Sequence, residues 1–318
     1  MHLSRITVFL LAFMSITAAA RWQPEPTLHE VRVNGVALHY TDRGKGPVVI
    51  LVHGGMEDYR AWDAQIAPLA KEFRVIAYSR RFNYPNHNGK PSADYSAIID
   101  AEDLAALIQK LKLGPVQVVG HSYGAYVSLM LAARHPELVR SLALSEPPLL
   151  GWLNDLPGGK ALLDDFMNNM WVPAGQAFRR HDTQTALRVS VDWFGAHEFP
   201  VSGEKATYDS VPPELRSYFM QNIGEWEALT TSPYAFPPFS RDQALKVQIP
   251  VLLLSGSRSV EAFKIIAAEL ARTLPDVNFF VLPDATHEMW SEFPKECTQK
   301  ILPFLELHRM PPGAAVRK

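Results

Sequence analysis

The chain has 318 residues, 47% of them hydrophobic and 20% charged, with a formal net charge of −2 and an isoelectric point near 6.6. That balance suits a globular protein with a sizeable core, one large α/β domain or two small ones, and supplies no basic footprint for nucleic acid. The one cysteine, Cys297, excludes an intramolecular disulfide.

The first five residues carry a basic side chain, residues 6–17 are almost wholly apolar, and Ala18-Ala19-Ala20 supplies small residues. This is the layout of a secretory signal peptide, so residues 1–20 are expected to be removed near Ala20 and the mature protein to be periplasmic or secreted. The apolar run is shorter than the about 20 residues that a membrane span needs, so no stable span is expected in the mature chain.

Residues 29–33 and 36–41 alternate around Asn34-Gly35 as a β-hairpin. Residues 47–52 form a continuous apolar run, the pattern of a strand buried on both faces, and stop at His53-Gly54-Gly55-Met56. A helix is predicted over 61–73, a strand over 74–78, a polar loop over 79–92, and an amphipathic helix over 95–111.

Val116-Gln117-Val118-Val119 then leads into Gly120-His121-Ser122-Tyr123-Gly124, followed by helical spacing over 125–134. Strand, G-x-S-x-G, helix is the setting in which this motif presents a nucleophile. A serine hydroxyl is weakly nucleophilic, so it must stand bare beside a base and beside donors for an oxyanion. The glycines let strand and helix approach closely, and the new helix aims its first N–H groups at charge developing on the substrate. His121 is read as a structural residue beside the turn, because adjacent side chains on such a turn diverge.

Residues 142–145 form another strand, delivering Glu146. Residues 149–246 show helical spacing and many aromatics but no strand signal; so long a structureless loop is improbable, and a helical cap is expected there. Strand, helix and strand follow over 249–254, 260–274 and 278–282, then a loop to 290 and a last helix over 292–308. The alternation predicts an α/β fold with a mostly parallel central sheet and helices on both faces. Its core spans 21–148 and 247–310, with the cap at 149–246. His53-Gly54-Gly55, Ser122, Glu146 and His287 all lie just past strand C-termini, where sites gather in such sheets.

Through Leu51-Val52-His53-Gly54-Gly55, the elbow at Ser122 and Asp284-Ala285-Thr286-His287, the chain resembles the α/β-hydrolase superfamily, specifically its small members with a helical cap. The resemblance covers nearly all of the chain after the leader. It implies hydrolysis through Ser122 with no metal and no organic cofactor, in the chain order nucleophile, acid, histidine. A serine nucleophile separates the chain from the dehalogenase and epoxide-hydrolase branches, which use an aspartate there. It implies His287 as base. The backbone N–H of Tyr123, paired with that of Gly55 or alternatively Met56, would receive the oxyanion. His53 is read as a residue that shapes this loop.

The acid departs from the family's common pattern. Where many members carry G-x-x-D after the strand at 251–254, this chain reads Gly256-Ser257-Arg258-Ser259, and Ser259 has no charge to hold an imidazolium. Glu146, Glu261 and Asp284 are the candidates. Glu146 is favoured because it follows the preceding strand, where other branches place their acid, and Asp284 reads as a residue that shapes its loop. The expected function is a serine hydrolase that cleaves an ester or lactone of a small, apolar substrate through an acyl-enzyme. Amide or carbon–carbon cleavage on the same scaffold, or a ligand-binding protein with a weak triad, are the alternatives. The expected partner is a small-molecule substrate.

Overall fold

A computed structural model describes residues 27–198 and 207–309. The expected leader, residues 1–20, lies outside the described residues, as do residues 199–206 of the expected cap. Eight strands form one sheet: β1 (Leu28–Val33), β2 (Val36–Arg43), β3 (Val48–Val52), β4 (Arg74–Tyr78), β5 (Val116–His121), β6 (Val139–Ser145), β7 (Val251–Gly256) and β8 (Val277–Leu282). Their order is β1-β2-β4-β3-β5-β6-β7-β8. The pairs β1–β2 and β2–β4 are antiparallel, and every pair from β4 to β8 is parallel.

The apolar runs explain the layers. Strands β5 and β7 are buried at every position, as parallel strands covered on both faces must be. The pleat sends Ile50 and Val52 to one face and Val49 and Leu51 to the other. Ile50 and Val52 pack into a core with helices Ala97–Lys110, Tyr123–Arg134 and Glu261–Thr273. Val49 and Leu51 meet helices Asp63–Leu69 and Pro294–Leu307.

Two predicted helices are cut by local chemistry. The helix expected over 61–73 opens as a 3₁₀ turn, Tyr59–Trp62, capped by the Asp58 side chain, and is α-helical only over Asp63–Leu69. The helix expected over 292–308 begins at Pro294, whose ring suits a first turn and separates it from the short helix Met289–Glu292.

Between β6 and β7 the described residues hold helices and no strand, among them Gly159–Phe166, Val172–Arg179, Thr183–Glu198, Pro213–Gln221 and Ile223–Thr231. Their aromatics are largely this layer's own core: Trp171 meets Trp226 edge-on at 5.2 Å and Phe236 at 4.8 Å. No helix among the described residues is long and apolar enough to cross a membrane.

The strand order places the site. The chain leaves β3 for β4 on one side and returns to β5 on the other, opening a crevice between the loops after β3 and β5. The pairing of Val52 with Gly120 sets Gly54 and Ser122 side by side at that crevice.

Candidate active site

Ser122 sits between β5 and helix Tyr123–Arg134 with φ +51° and ψ −121°, a conformation that side chains other than glycine's rarely adopt. Close packing holds it there. A Cβ on Gly124 would collide with the carbonyls of Val52 and His53, and one on Gly120 would lie 2.8 Å from the Ala125 Cα. The Ser122 N–H donates to the Ser145 carbonyl at 2.9 Å.

Ser122 Oγ lies 2.8 Å from His287 Nε2, and His287 Nδ1 lies 2.6 Å from Glu146 Oε2. A carboxylate only accepts, so the imidazole carries its proton on Nδ1 and turns a free lone pair on Nε2 toward the serine. Glu146 is fully buried and also sits at positive φ, +47°. Its Oε1 accepts from Ser255 Oγ at 2.7 Å and from the Gly256 N–H at 2.9 Å, and its Oε2 accepts from Ser259 Oγ at 2.6 Å. With His287 that makes four donors, the satisfaction a buried carboxylate needs.

Ser259 therefore does more than leave the common aspartate position vacant: its hydroxyl helps to hold the Glu146 carboxylate. Ser255 and Gly256 do the same from the end of β7, and sequence reading missed all three. The other two carboxylates are elsewhere. Glu261 pairs with Lys264 one helical turn on at 2.7 Å, and Asp284 is exposed on a left-handed turn whose N–H is bound by Ser257 Oγ.

The loop after β3 is tied down from behind. Burial first, then Arg80, holds the His53 ring neutral; its Nδ1–H donates to the Gly54 carbonyl at 2.8 Å and its Nε2 accepts the Arg80 N–H at 3.0 Å. The fully buried Arg80 guanidinium donates to the Gly54 carbonyl at 2.7 Å, meets Asp100 at 3.2 Å and pairs with Glu225. Glu225, on helix Ile223–Thr231, accepts the Met56 N–H at 3.0 Å and Asn83 Nδ2 at 2.9 Å. Met56 is thereby removed from the two candidates for the second oxyanion donor, because its N–H is committed to Glu225. The N–H groups of Gly55 and Tyr123 have no acceptor among the described residues and stay open.

Aromatic packing fixes the imidazole. His287 lies 4.7 Å from the rings of both His121 and Phe263, and Phe194 lies nearly parallel to it at 6.1 Å. His121 is buried beside the turn with Nδ1 3.0 Å from Ser145 Oγ, and burial, then the neighbouring His287, keeps it uncharged.

A model of the family described as alpha/beta hydrolase fold matches residues 47–294. The uncharacterized hydrolase YraK of Bacillus subtilis (strain 168) is 33% identical over 141 residues, 44% of this chain and 52% of that protein. The bifunctional epoxide hydrolase 2 of Sus scrofa is 33% identical over 118 residues, 36% of this chain and 21% of that protein. The chain thus spans about half the length, or less, of these curated relatives. A thermophilic esterase from Thermogutta terrifontis superposes with a TM-score of 0.66 at 24% identity, over 89% of this chain and all of that one, a shared fold.

Proposed function

The chain belongs to the alpha/beta hydrolase fold family, and from that premise we propose that it is a serine hydrolase that cleaves an ester or lactone of a small substrate through an acyl-enzyme. One observation carries this reading: the unbroken chain from Ser122 Oγ through His287 to Glu146, at 2.8 and 2.6 Å. His287 Nε2 takes the serine proton as Oγ attacks the carbonyl carbon. The open N–H groups of Gly55 and Tyr123 receive the oxyanion, and Glu146 stabilises the imidazolium. The imidazolium then protonates the departing alkoxide, and water, activated by the same nitrogen, releases the acyl group.

The pig relative is named for epoxide hydrolysis. A serine oxygen opening an epoxide would form an ether, which water does not cleave, so Ser122 turns over only with a substrate that yields an acyl group. Residues 149–246 act in this reading as the cap over the site, and the apolar rings of Phe194, Phe263 and Trp226 receive the substrate's body. The leader-like residues 1–20 add a place of action outside the cytoplasm.

The test is turnover of a chromogenic short-chain ester. Wild-type protein should cleave it, and Ser122→Ala should lower kcat/KM by about 10⁴-fold or more. Equal rates for the two proteins would reject the reading.

A further inference from the structure

Three carboxyl groups near Ser122 have no part in the reaction just described: Glu57, Glu198 and Glu288. Glu57 accepts the Gly54 N–H at 2.6 Å on Oε2. A Cβ on Gly54 would stand 2.9 Å from that oxygen and 3.3 Å from the Ser122 Cβ, so the carboxyl lies within a side chain's breadth of the nucleophile. Glu288 follows the base in sequence. One oxygen of Glu57, one oxygen of Glu288 and a ring nitrogen of His121 all lie within 4.8 Å of one another. Both glutamates are half-buried.

Glu198 ends helix Thr183–Glu198 close enough to Glu288 for the two charges to act on each other. It lies one turn beyond Phe194, whose ring faces His287, and so shares that helix face. Only 3% of Glu198 is exposed, and its Oε1 has no hydrogen-bond partner among the described residues. The ion pairs around the site engage Arg80 with Asp100 and Glu225, and His287 with Glu146; none among the described residues takes these three acids. Burial first, then the charge of Glu288, holds Glu57 and Glu198 well above the usual carboxylate range, and burial raises Glu288 as well. Arg80 acts on Glu57 and His287 on Glu288, yet burial and mutual repulsion outweigh them; a cation entering among such crowded buried acids relieves both the desolvation and the repulsion.

We propose that Glu57, Glu198 and Glu288 form a cation subsite beside Ser122, which binds an ammonium group carried by the substrate, so that the preferred substrates are esters bearing an amine. The proposal rests on the serine-hydrolase reading for its purpose, though not for its chemistry. The ring of Phe194, one helical turn before Glu198, suits it, since aromatic faces attract alkylammonium ions.

Binding and turnover test it separately. Ser122→Ala protein is titrated calorimetrically with n-butylammonium and with n-butanol at about pH 8.5, where an alkylamine is still protonated. The ammonium should bind at least about tenfold more tightly, and Glu198→Gln or Glu57→Gln on the same background should lose most of that margin. In wild-type protein, kcat/KM for methyl 6-aminohexanoate should exceed that for methyl heptanoate by about tenfold or more, shrinking to within about threefold in Glu198→Gln. Equal binding of amine and alcohol overturns the proposal, as does tight binding of Mn²⁺ without any ammonium preference. Cleavage of neutral esters with no preference for the amine sinks the subsite and leaves the serine hydrolase standing. A clear ammonium preference in a protein that cleaves no ester does the reverse.

Discussion

Glu146→Gln should lower kcat on a simple ester by about 10³–10⁴-fold with the fold intact, an added barrier of roughly 4–5 kcal/mol. The carboxylate has donors on both oxygens: Ser255 Oγ and the Gly256 N–H on Oε1, His287 Nδ1 and Ser259 Oγ on Oε2. A carboxamide must turn its NH₂ toward one pair or the other. In one orientation it faces a backbone N–H. In the other it faces the imidazole N–H and drives the ring to the wrong tautomer, with the serine's proton acceptor lost. Neither orientation supplies the charge that stabilises the imidazolium. Ser259 Oγ meets the same oxygen that His287 does, so adding Ser259→Asp to Glu146→Gln should recover at least about tenfold of the rate. Glu261→Gln and Asp284→Asn should stay within about tenfold of wild type. Steady-state kinetics on all five proteins checks this, and a near-normal kcat for Glu146→Gln would place the acid elsewhere.

Arg80→Met should destabilise the protein by about 3–5 kcal/mol and also slow the reaction. The side chain is fully buried between two carboxylates, Asp100 and Glu225. Methionine fills a similar volume but leaves both acids without their counter-charge, and removing one partner of a buried pair is far more costly than replacing the set. The same change deletes the Nη2 contact to the Gly54 carbonyl, which steadies the loop that offers the Gly55 N–H. Denaturant unfolding measures the first effect. Adding Glu225→Gln to Arg80→Met should cost less than the sum of the two single changes, because the second acid is then no longer stranded. A loss below about 1 kcal/mol for Arg80→Met would show that this network holds nothing in place.

The contrast between these two residues shows what was legible in the chain. The sheet could be read because β3 and β7 are apolar runs that only a doubly covered strand explains, and Ser122 stood out as a candidate nucleophile because strand, Gly-x-Ser-x-Gly and helix occur in succession. Glu146 could be singled out as a candidate acid by its place after β6 once the later strand lacked an aspartate. Its supporting hydroxyls could not. Ser255 and Ser259 meet it only because β6 pairs with β7 in a register that sets Ser145 beside Leu254, and no local pattern encodes that pairing. Arg80 lies in the stretch 79–92, whose Asn, Pro and Gly residues read as a polar loop, yet it is buried against Glu225 on a helix about 145 residues further on. The Met56 N–H was lost to the same contact, 169 residues away in sequence. Helix ends were misplaced where one side chain decides them, at the Asp58 cap and at Pro294.

The central claim is that Ser122 is the nucleophile, and intact-mass analysis after treatment with a fluorophosphonate tests it most directly. Wild-type protein should gain the mass of one phosphonyl group, mapped by peptide fragmentation to Ser122, and Ser122→Ala should gain none. An unlabelled wild type, or equal labelling of the two proteins, would contradict the account.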